Sequence, residues 1–374
     1  MREILGWMLG LWWFGATTAY LATLILSATK ARSSPAAEPM HQPPASILVP
    51  LKGIEPEFSD NLRSLFSQRY PEFELIFVFD EPDDPAIPVV RGIMAEHPAI
   101  PARIVTATDM STGNPKVDKL AHAEQCAAHD LFLMCDGNAA LAPEALARMV
   151  SALTADIGLV SAIPLAGRPS NFIGELECAM CNGLAARWLL AADRLGFGLA
   201  QGKLMLLSRE TLRRIGGIRI MARGLCEDAV LAEAIHRLDL RVIAPDTVLN
   251  PIGGRRFRDF WDRHLRWHCC HRLHHPSTYG FEPLTGALAA TIAGTFFSHQ
   301  IFGIPPAAAI AANLMLWLGA EALYLRRQNW HMSWRSPAAW LLREFIAPVL
   351  WVQALRTRSL LWRGARLDVA DLRR

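Results

Sequence analysis

Charge is scarce in this sequence. Only 20% of its 374 residues are Asp, Glu, Lys or Arg, and the formal net charge is +3. With neither sign in excess, no basic stripe of the kind that binds nucleic acid stands out. Cysteine is sparse as well. The seven present are an odd number in a long chain, which argues against a secreted disulfide framework and for reduced thiols. No internal repeat and no low-complexity tract occurs, and a collagen-like chain is excluded. What the sequence has in abundance is apolar residues, 52% of the total, which rules out a disordered chain. Mean hydropathy is +0.18. At roughly 150 residues per domain, the length implies two or three domains.

The apolar excess lies at the two ends. Residues 4–28 run without a charge and include Trp7, Trp12, Trp13 and Tyr20. About 20 apolar residues cross a bilayer, so this stretch is long enough. It exceeds the apolar core of a signal peptide, and only Arg2, offset by Glu3, precedes it, so a retained anchor is expected. Lys30 and Arg32 follow and favour a cytoplasmic face for what comes next. Residues 33–44, rich in proline and serine, read as a linker. Near the other end, residues 284–303 and 306–325 are expected to span as a hairpin around a Gly-Ile-Pro turn, with Arg326 and Arg327 on the cytoplasmic side. Residues 338–355 are apolar too but hold Arg343, Glu344 and Pro348. Charges at the centre of a bilayer cost about 2.5–3.5 kcal/mol each on insertion scales. A crossing here would also export Arg356, Arg358, Arg363 and Arg366. The expectation is therefore an interfacial or re-entrant segment broken at Pro348, with a cytoplasmic tail.

Between the ends the pattern changes. Short apolar, β-branched runs at 46–50, 73–79, 103–106, 131–135 and 157–163 read as strands. Periodic stretches at 57–68, 86–96, 117–128 and 143–154 read as helices. Strands alternating with helices of this length predict βαβ units and a mostly parallel sheet. Unbroken apolar strands fit a sheet covered on both faces. Such sheets bind ligands beyond the carboxyl ends of their strands.

Acids stand at those ends. Asp80, Asp83 and Asp84 follow the second strand, Asp136-Gly137-Asn138 follows the fourth, and Glu227-Asp228 opens a later helix. Carboxylates so placed suit a divalent cation and a general base. Taken singly, each station is better read as a turn or a helix cap. Arg263-His264-Leu265-Arg266-Trp267 adds two arginines one helical turn apart beside a tryptophan, and planar guanidinium forks suit a diphosphate.

The ordered set Pro50-Leu51-Lys52-Gly53, Asp83-Asp84-Pro85-Ala86, Asn114-Pro115-Lys116, Cys135-Asp136, Glu227-Asp228 and Arg263 to Trp267 resembles the ceramide glucosyltransferases. These are a lipid-modifying branch of the inverting GT-A glycosyltransferases, and the likeness covers roughly residues 45–280. It implies an α/β, nucleotide-diphospho-sugar transferase fold with N- and C-terminal transmembrane helices. It further implies a UDP-sugar donor, Mg²⁺ or Mn²⁺ as cofactor, and a lipid hydroxyl acceptor such as ceramide. Residue by residue, the resemblance places Lys52, Asp84, Lys116, Asp136 and Arg263 at the donor and gives Asp136 the metal. It gives catalysis to Asp228, as base, with Arg266 and Trp267. The implied organisation is an anchor at 1–29, a linker at 30–45, a catalytic domain at 46–280 and a membrane region at 281–374. The catalytic domain is expected to face the cytoplasm, where nucleotide sugars are found.

The sequence departs from the wider pattern at one point. Many GT-A enzymes have Asp-x-Asp where this chain has Asp136-Gly137-Asn138, so one formal charge is missing. Three other features stay open at this level. Lys203 follows Gly202 either as a phosphate contact or as a solvated strand end. Lys116 and Lys119 share a helix start, to neutralise a diphosphate or to meet solvent. Residues 171–195 form a core helix or a membrane-surface helix that receives a lipid. Cys178 and Cys181 have CxxC spacing but lack the second ligand pair of a zinc site, and are read as two small apolar residues on one helix turn. Alternatives in the same class are a hopanoid or other lipid glycosyltransferase with a different sugar. A processive polysaccharide synthase would more typically show Gln at position 263 and needs more spans. A non-catalytic lipid-binding relative is the reading from another class.

Overall fold

The structure, a computed structural model, describes residues 1–28, 42–362 and 365–368. Much of the expected linker and the last six residues of the tail lie outside the described residues. Helix α1 (Arg2–Ala28) comes first. Then β1 (Ala45–Pro50), α2 (Phe58–Phe66), β2 (Phe73–Phe79), α3 (Ala86–Glu96), β3 (Ala102–Thr106), α4 (Pro115–Cys126), β4 (Leu131–Cys135), α5 (Ala145–Ala152) and β5 (Ile157–Pro169) alternate. Helices α6 (Phe172–Cys178) and α7 (Arg187–Arg194) follow, joined by a π-helical stretch, Ala179–Ala186. The chain then makes β6 (Leu204–Ser208), α8 (Arg209–Arg214), α9 (Glu227–His236) and β7 (Arg241–Gly253). It ends in helices α10 (Phe257–His274), α11 (Pro276–Tyr279), α12 (Ala287–Phe302), α13 (Pro306–Gln328) and α14 (Ser336–Arg356) and a short hairpin, β8 (Ser359–Trp362) with β9 (Ala365–Asp368).

The elements pack as two units. One comprises Lys30–Gly167 and Ala192–Gly253, the other Met1–Thr29, Arg168–Ala191 and Gly254–Arg373. Residues 168–191 and 254–280 thus group with the terminal helices.

In the first unit a seven-stranded sheet has the order β3-β2-β1-β4-β6-β5-β7. Strands β1, β2, β3 and β4 pair in parallel, and β6 runs antiparallel to β4 and β5. The five expected strands are all present. Strands β1, β2 and β4 are apolar but for Ser46 and Glu74, because side chains on both faces are buried. Ile47, Leu75, Phe77 and Leu133 face one core, and Leu48, Ile76, Val78, Phe132 and Met134 face the other. β6 and β7 complete the sheet beyond the parallel part. Pro245 and Pro251 within β7 remove two ladder donors, which suits its place at the sheet edge.

The second unit is helical. Among the described residues, three helices are long and apolar enough to cross a membrane: α1, α13 and α14. The expected span at 284–303 is shorter than the sequence implied. Pro283 and Gly286 confine it to α12, a 16-residue helix about 24 Å long. α1 packs on these helices through rings. Tyr20 stacks on Trp317 with centroids 3.9 Å apart, and Trp13 donates from Nε1 to Asn313 Oδ1 at 2.6 Å. A stacked aromatic pair adds about 0.5–1.5 kcal/mol beyond its buried area.

The expected break at Pro348 needs correction. α14 runs unbroken through Pro348, and Arg343 and Glu344 have partners. Arg343 makes a two-pronged pair with Glu321 of α13, at 2.7 and 2.9 Å. Glu344 Oε2 accepts the Ala287 amide at 2.7 Å, satisfying the first turn of α12. The expected single helix at 171–195 is interrupted too, because its middle is wound as a π-helix.

Candidate active site

Within the sheet unit, four carboxylates and two lysines converge beyond the ends of β4 and β6. The path to this cluster starts at Asn114. Its side chain caps α4, accepting from Lys116 N at 3.1 Å and Val117 N at 3.4 Å, and Pro115 takes the first helical position, where an amide hydrogen would go unused. The Asn-Pro-Lys run is therefore a helix start that aims Lys116. Its buried ammonium lies 2.8 Å from Asp136 Oδ1, 2.7 Å from Glu227 Oε1 and 3.0 Å from the Gly202 carbonyl.

Asp136 directly follows β4, and its amide donates to the Lys203 carbonyl at 3.0 Å. Its second oxygen lies 3.3 Å from Lys203 Nζ. Lys203 also donates to Asn138 Oδ1, while Asn138 Nδ2 donates to Glu55. Glu55 thus turns the Asn138 amide so that its oxygen, like that of Asp136, faces a cation. Between them Gly137 fits closely, since a Cβ there would meet Leu51 Cδ2 and push that buried side chain aside. The Lys203 side chain is mostly buried on these oxygens and is not a solvated strand end.

Asp228 sits in the first turn of α9. Its Oδ2 accepts the Gly202 amide at 2.8 Å and its Oδ1 the Ala229 amide at 2.9 Å. Gly202 suits this close approach, because a Cβ would stand 3.2–3.4 Å from Glu227, Asp228 and Lys116 together. The electrostatics separate the three acids. Burial raises the Asp228 carboxyl, the adjacent Glu227 charge raises it further, and it is pushed up to about 6. For Asp136, burial is outweighed by Lys116 and Lys203, which bring it down to about 2. Burial is likewise outweighed at Glu227, which Lys116 holds below the ordinary carboxylate range. One carboxylate tuned upward beside two held ionised is an arrangement suited to proton abstraction next to a fixed charge cluster.

The donor residues expected around β1 and β2 form a separate group. The half-exposed Lys52 pairs with Asp80 at 3.2 Å and Glu81 at 3.1 Å. Asp84 is buried, and both its oxygens are taken by backbone amides, Gly53 at 2.8 Å and Ala86 at 2.8 Å, so it shapes the loop after β1 and starts α3. Lys119 is fully buried on the Leu51 carbonyl at 2.8 Å and on Asp80 at 3.4 Å, which makes it a structural tie, neither solvated nor open to a diphosphate.

Arg263, Arg266 and Trp267 lie on α10, in the helical unit. Arg263 is 3.3 Å from Glu177 Oε1, and Arg255 is 3.2 Å from Glu177 Oε2. Trp267 is 40% exposed, an apolar surface open to a ligand. Ligand atoms of Glu177, Cys181 and His264 lie within 4.8 Å of one another. Two guanidiniums already balance the Glu177 charge, so this cluster reads as a buried ion-pair node. Cys178 is buried, as its reading as an apolar residue requires.

A family profile, glycosyl transferase family 21, matches residues 11–374. The chain belongs to this family. It is a glycosyltransferase, and it is similar to ceramide glucosyltransferases. Ceramide glucosyltransferase 1 of Caenorhabditis elegans is 24% identical over 335 residues, covering 88% of this chain and 72% of that protein. The ceramide glucosyltransferase of Komagataella phaffii is 24% identical, covering 85% of this chain and 81% of that protein. Among solved structures, the mannosyltransferase PcManGT of Pyrobaculum calidifontis, in complex with GDP-Man and Mn²⁺, superposes with a TM-score of 0.55 at 20% identity, covering 93% of this chain and 99% of that one. The glycosyltransferase shares its fold, which agrees with the expected GT-A architecture. Glu55 carries no sequence signal, and Asn138 shows in the sequence as a neutral oxygen in place of an acid. Glu227 was visible as the neighbour of Asp228, and Lys203 as a lysine with two open readings.

Proposed function

We propose that this glycosyltransferase is a membrane-anchored, inverting ceramide glucosyltransferase. It moves a hexose, glucose, from a UDP-sugar to the primary hydroxyl of ceramide. The observation that carries the chemistry is the raised, partly accessible Asp228 carboxylate at the start of α9, next to the Lys116–Asp136–Glu227 cluster. Asp228 takes the proton of the lipid hydroxyl as its oxygen bonds to the anomeric carbon, while the carbon–phosphate oxygen bond breaks and UDP leaves with the electron pair. Lys116 fixes Asp136 and Glu227 in place and keeps both charged. The Asp136 carboxylate and the Asn138 carboxamide are oxygen donors of the class Mg²⁺ and Mn²⁺ take, and they already close on a cationic group, so they fit such an ion. Bound there, it would neutralise charge on the departing diphosphate. Lys52, Arg263 and Arg266 are proposed as further cationic groups toward the donor, with Asp84 holding the loop that follows β1. Trp267 is proposed on the acceptor side. Cytosolic nucleotide sugars and the positive-inside pattern support a catalytic unit at the cytoplasmic face.

Mass spectrometry of lipids from cells with and without the gene tests the assignment. A monohexosylceramide should be present only with the gene, and an unchanged lipid profile would contradict the proposal. The tuned base adds a pH signature. The ionised form of Asp228 is the active one, so activity is lost as protons are taken up. The acid limb of kcat/KM should break near pH 6, falling about tenfold per pH unit below it. A break near pH 4, where an ordinary aspartate titrates, would assign the base elsewhere.

A further inference from the structure

We infer that Lys203 is the site's own counter-cation. In the donor-free enzyme its ammonium fills the seat between Asp136 and Asn138 that a divalent ion takes when the nucleotide sugar arrives, so metal and donor bind as a coupled pair. The inference rests on the reading of a nucleoside-diphosphate donor given above.

The geometry is specific to Lys203. Lys116 is held by three oxygens, those of Asp136, Glu227 and Gly202, and belongs to the scaffold. Lys203 Nζ instead lies on the remaining oxygen of Asp136, at 3.3 Å, and on Asn138 Oδ1. These are the two oxygens that sequence and chemistry offer to a metal. Glu55 fixes the Asn138 amide from its other side, so the seat is built whichever cation occupies it. An ammonium and a dication cannot share it, since like charges a few ångströms apart repel steeply in a partly buried site. Lysine suits the exchange because its ammonium rides on a flexible four-carbon stem and can turn to a phosphate oxygen. Coupling of this kind is reciprocal: whatever the donor adds to metal affinity, the metal adds to donor affinity.

The test is a titration of Mn²⁺ onto the detergent-solubilised full-length enzyme, followed by the electron paramagnetic resonance signal of free Mn²⁺, with and without UDP. Wild type should bind Mn²⁺ alone weakly, with UDP tightening it by about 5–150-fold, the usual range of such coupling. Lys203→Met should bind Mn²⁺ alone tighter by a comparable factor and lose most of the UDP effect, whereas Lys203→Arg, which keeps the charge, should resemble wild type. Equal Mn²⁺ affinity in wild type and Lys203→Met, without UDP, overturns the inference. So does a wild-type affinity that UDP leaves unchanged although UDP binds, a measurement that needs no variant. If UDP does not bind the wild type at all while Lys203→Met still gains Mn²⁺ affinity, the counter-cation role stands and it is the donor reading that fails.

Discussion

Asp228→Asn is expected to lower kcat by about 10²–10⁴-fold, the usual worth of a positioned general base. The substitution keeps the shape of the side chain and an oxygen that can accept the Gly202 amide, so the fold and donor binding should survive. What it removes is the proton acceptor. The expected pattern is therefore a fall in kcat with KM for the nucleotide sugar little changed, and with the acid limb near pH 6 gone from the residual rate. Steady-state kinetics on wild type and variant decide the matter. A kcat within a factor of a few of wild type would show that another group takes the proton.

The second large effect concerns stability. Lys116→Met should destabilise the sheet unit by about 3–5 kcal/mol, the cost of removing one partner from a buried ion pair. Lys116 serves two carboxylates at once, Asp136 at 2.8 Å and Glu227 at 2.7 Å, in a place where water reaches neither freely. Without it both acids face one another, with Lys203 3.3 Å from Asp136. The double variant Lys116→Met/Glu227→Gln should recover part of the loss, because it removes one of the stranded charges, and such a non-additive result is the signature of a direct pair. Denaturation midpoints of the wild type, the two single variants and the double variant measure it. A single variant as stable as wild type would mean that the lysine is solvated.

How far the sequence revealed this structure depends on what each residue needs in order to be understood. Strands β1 to β4 were legible because a parallel strand buried on both faces is an apolar run in its own right. β6 and β7 were not. Leu204–Ser208 is a five-residue run preceded by Gly202 and Lys203, and Arg241–Gly253 carries two prolines, so neither makes a strong strand signal alone. The antiparallel pairing of β6 with β4 and β5 depends on partners far away in sequence. The motifs located Asp136 and Asp228, but not what they do to one another. Asp228 titrates high because Glu227 is beside it and burial limits its hydration, and burial is not written in a local pattern. Lys119 is open between a diphosphate and solvent in the sequence, yet it closes on the Leu51 carbonyl. Arg343 and Glu344 read as costs because Glu321 and the Ala287 amide, which satisfy them, come from other helices. Asn114-Pro115-Lys116 shows the reverse case. Recognised first as a motif, it turned out to be a capped helix start whose third residue is the cation at the centre of the site.

Whether this chain glycosylates ceramide through the Asp228 site is decided by incubating the purified full-length enzyme, in vesicles containing ceramide, with radiolabelled UDP-glucose and Mn²⁺, beside the Asp228→Asn variant. Label is expected in a β-linked hexosylceramide with the wild type and about 10²–10⁴-fold less with the variant. No label in lipid with the wild type, or equal label with both proteins, would contradict it.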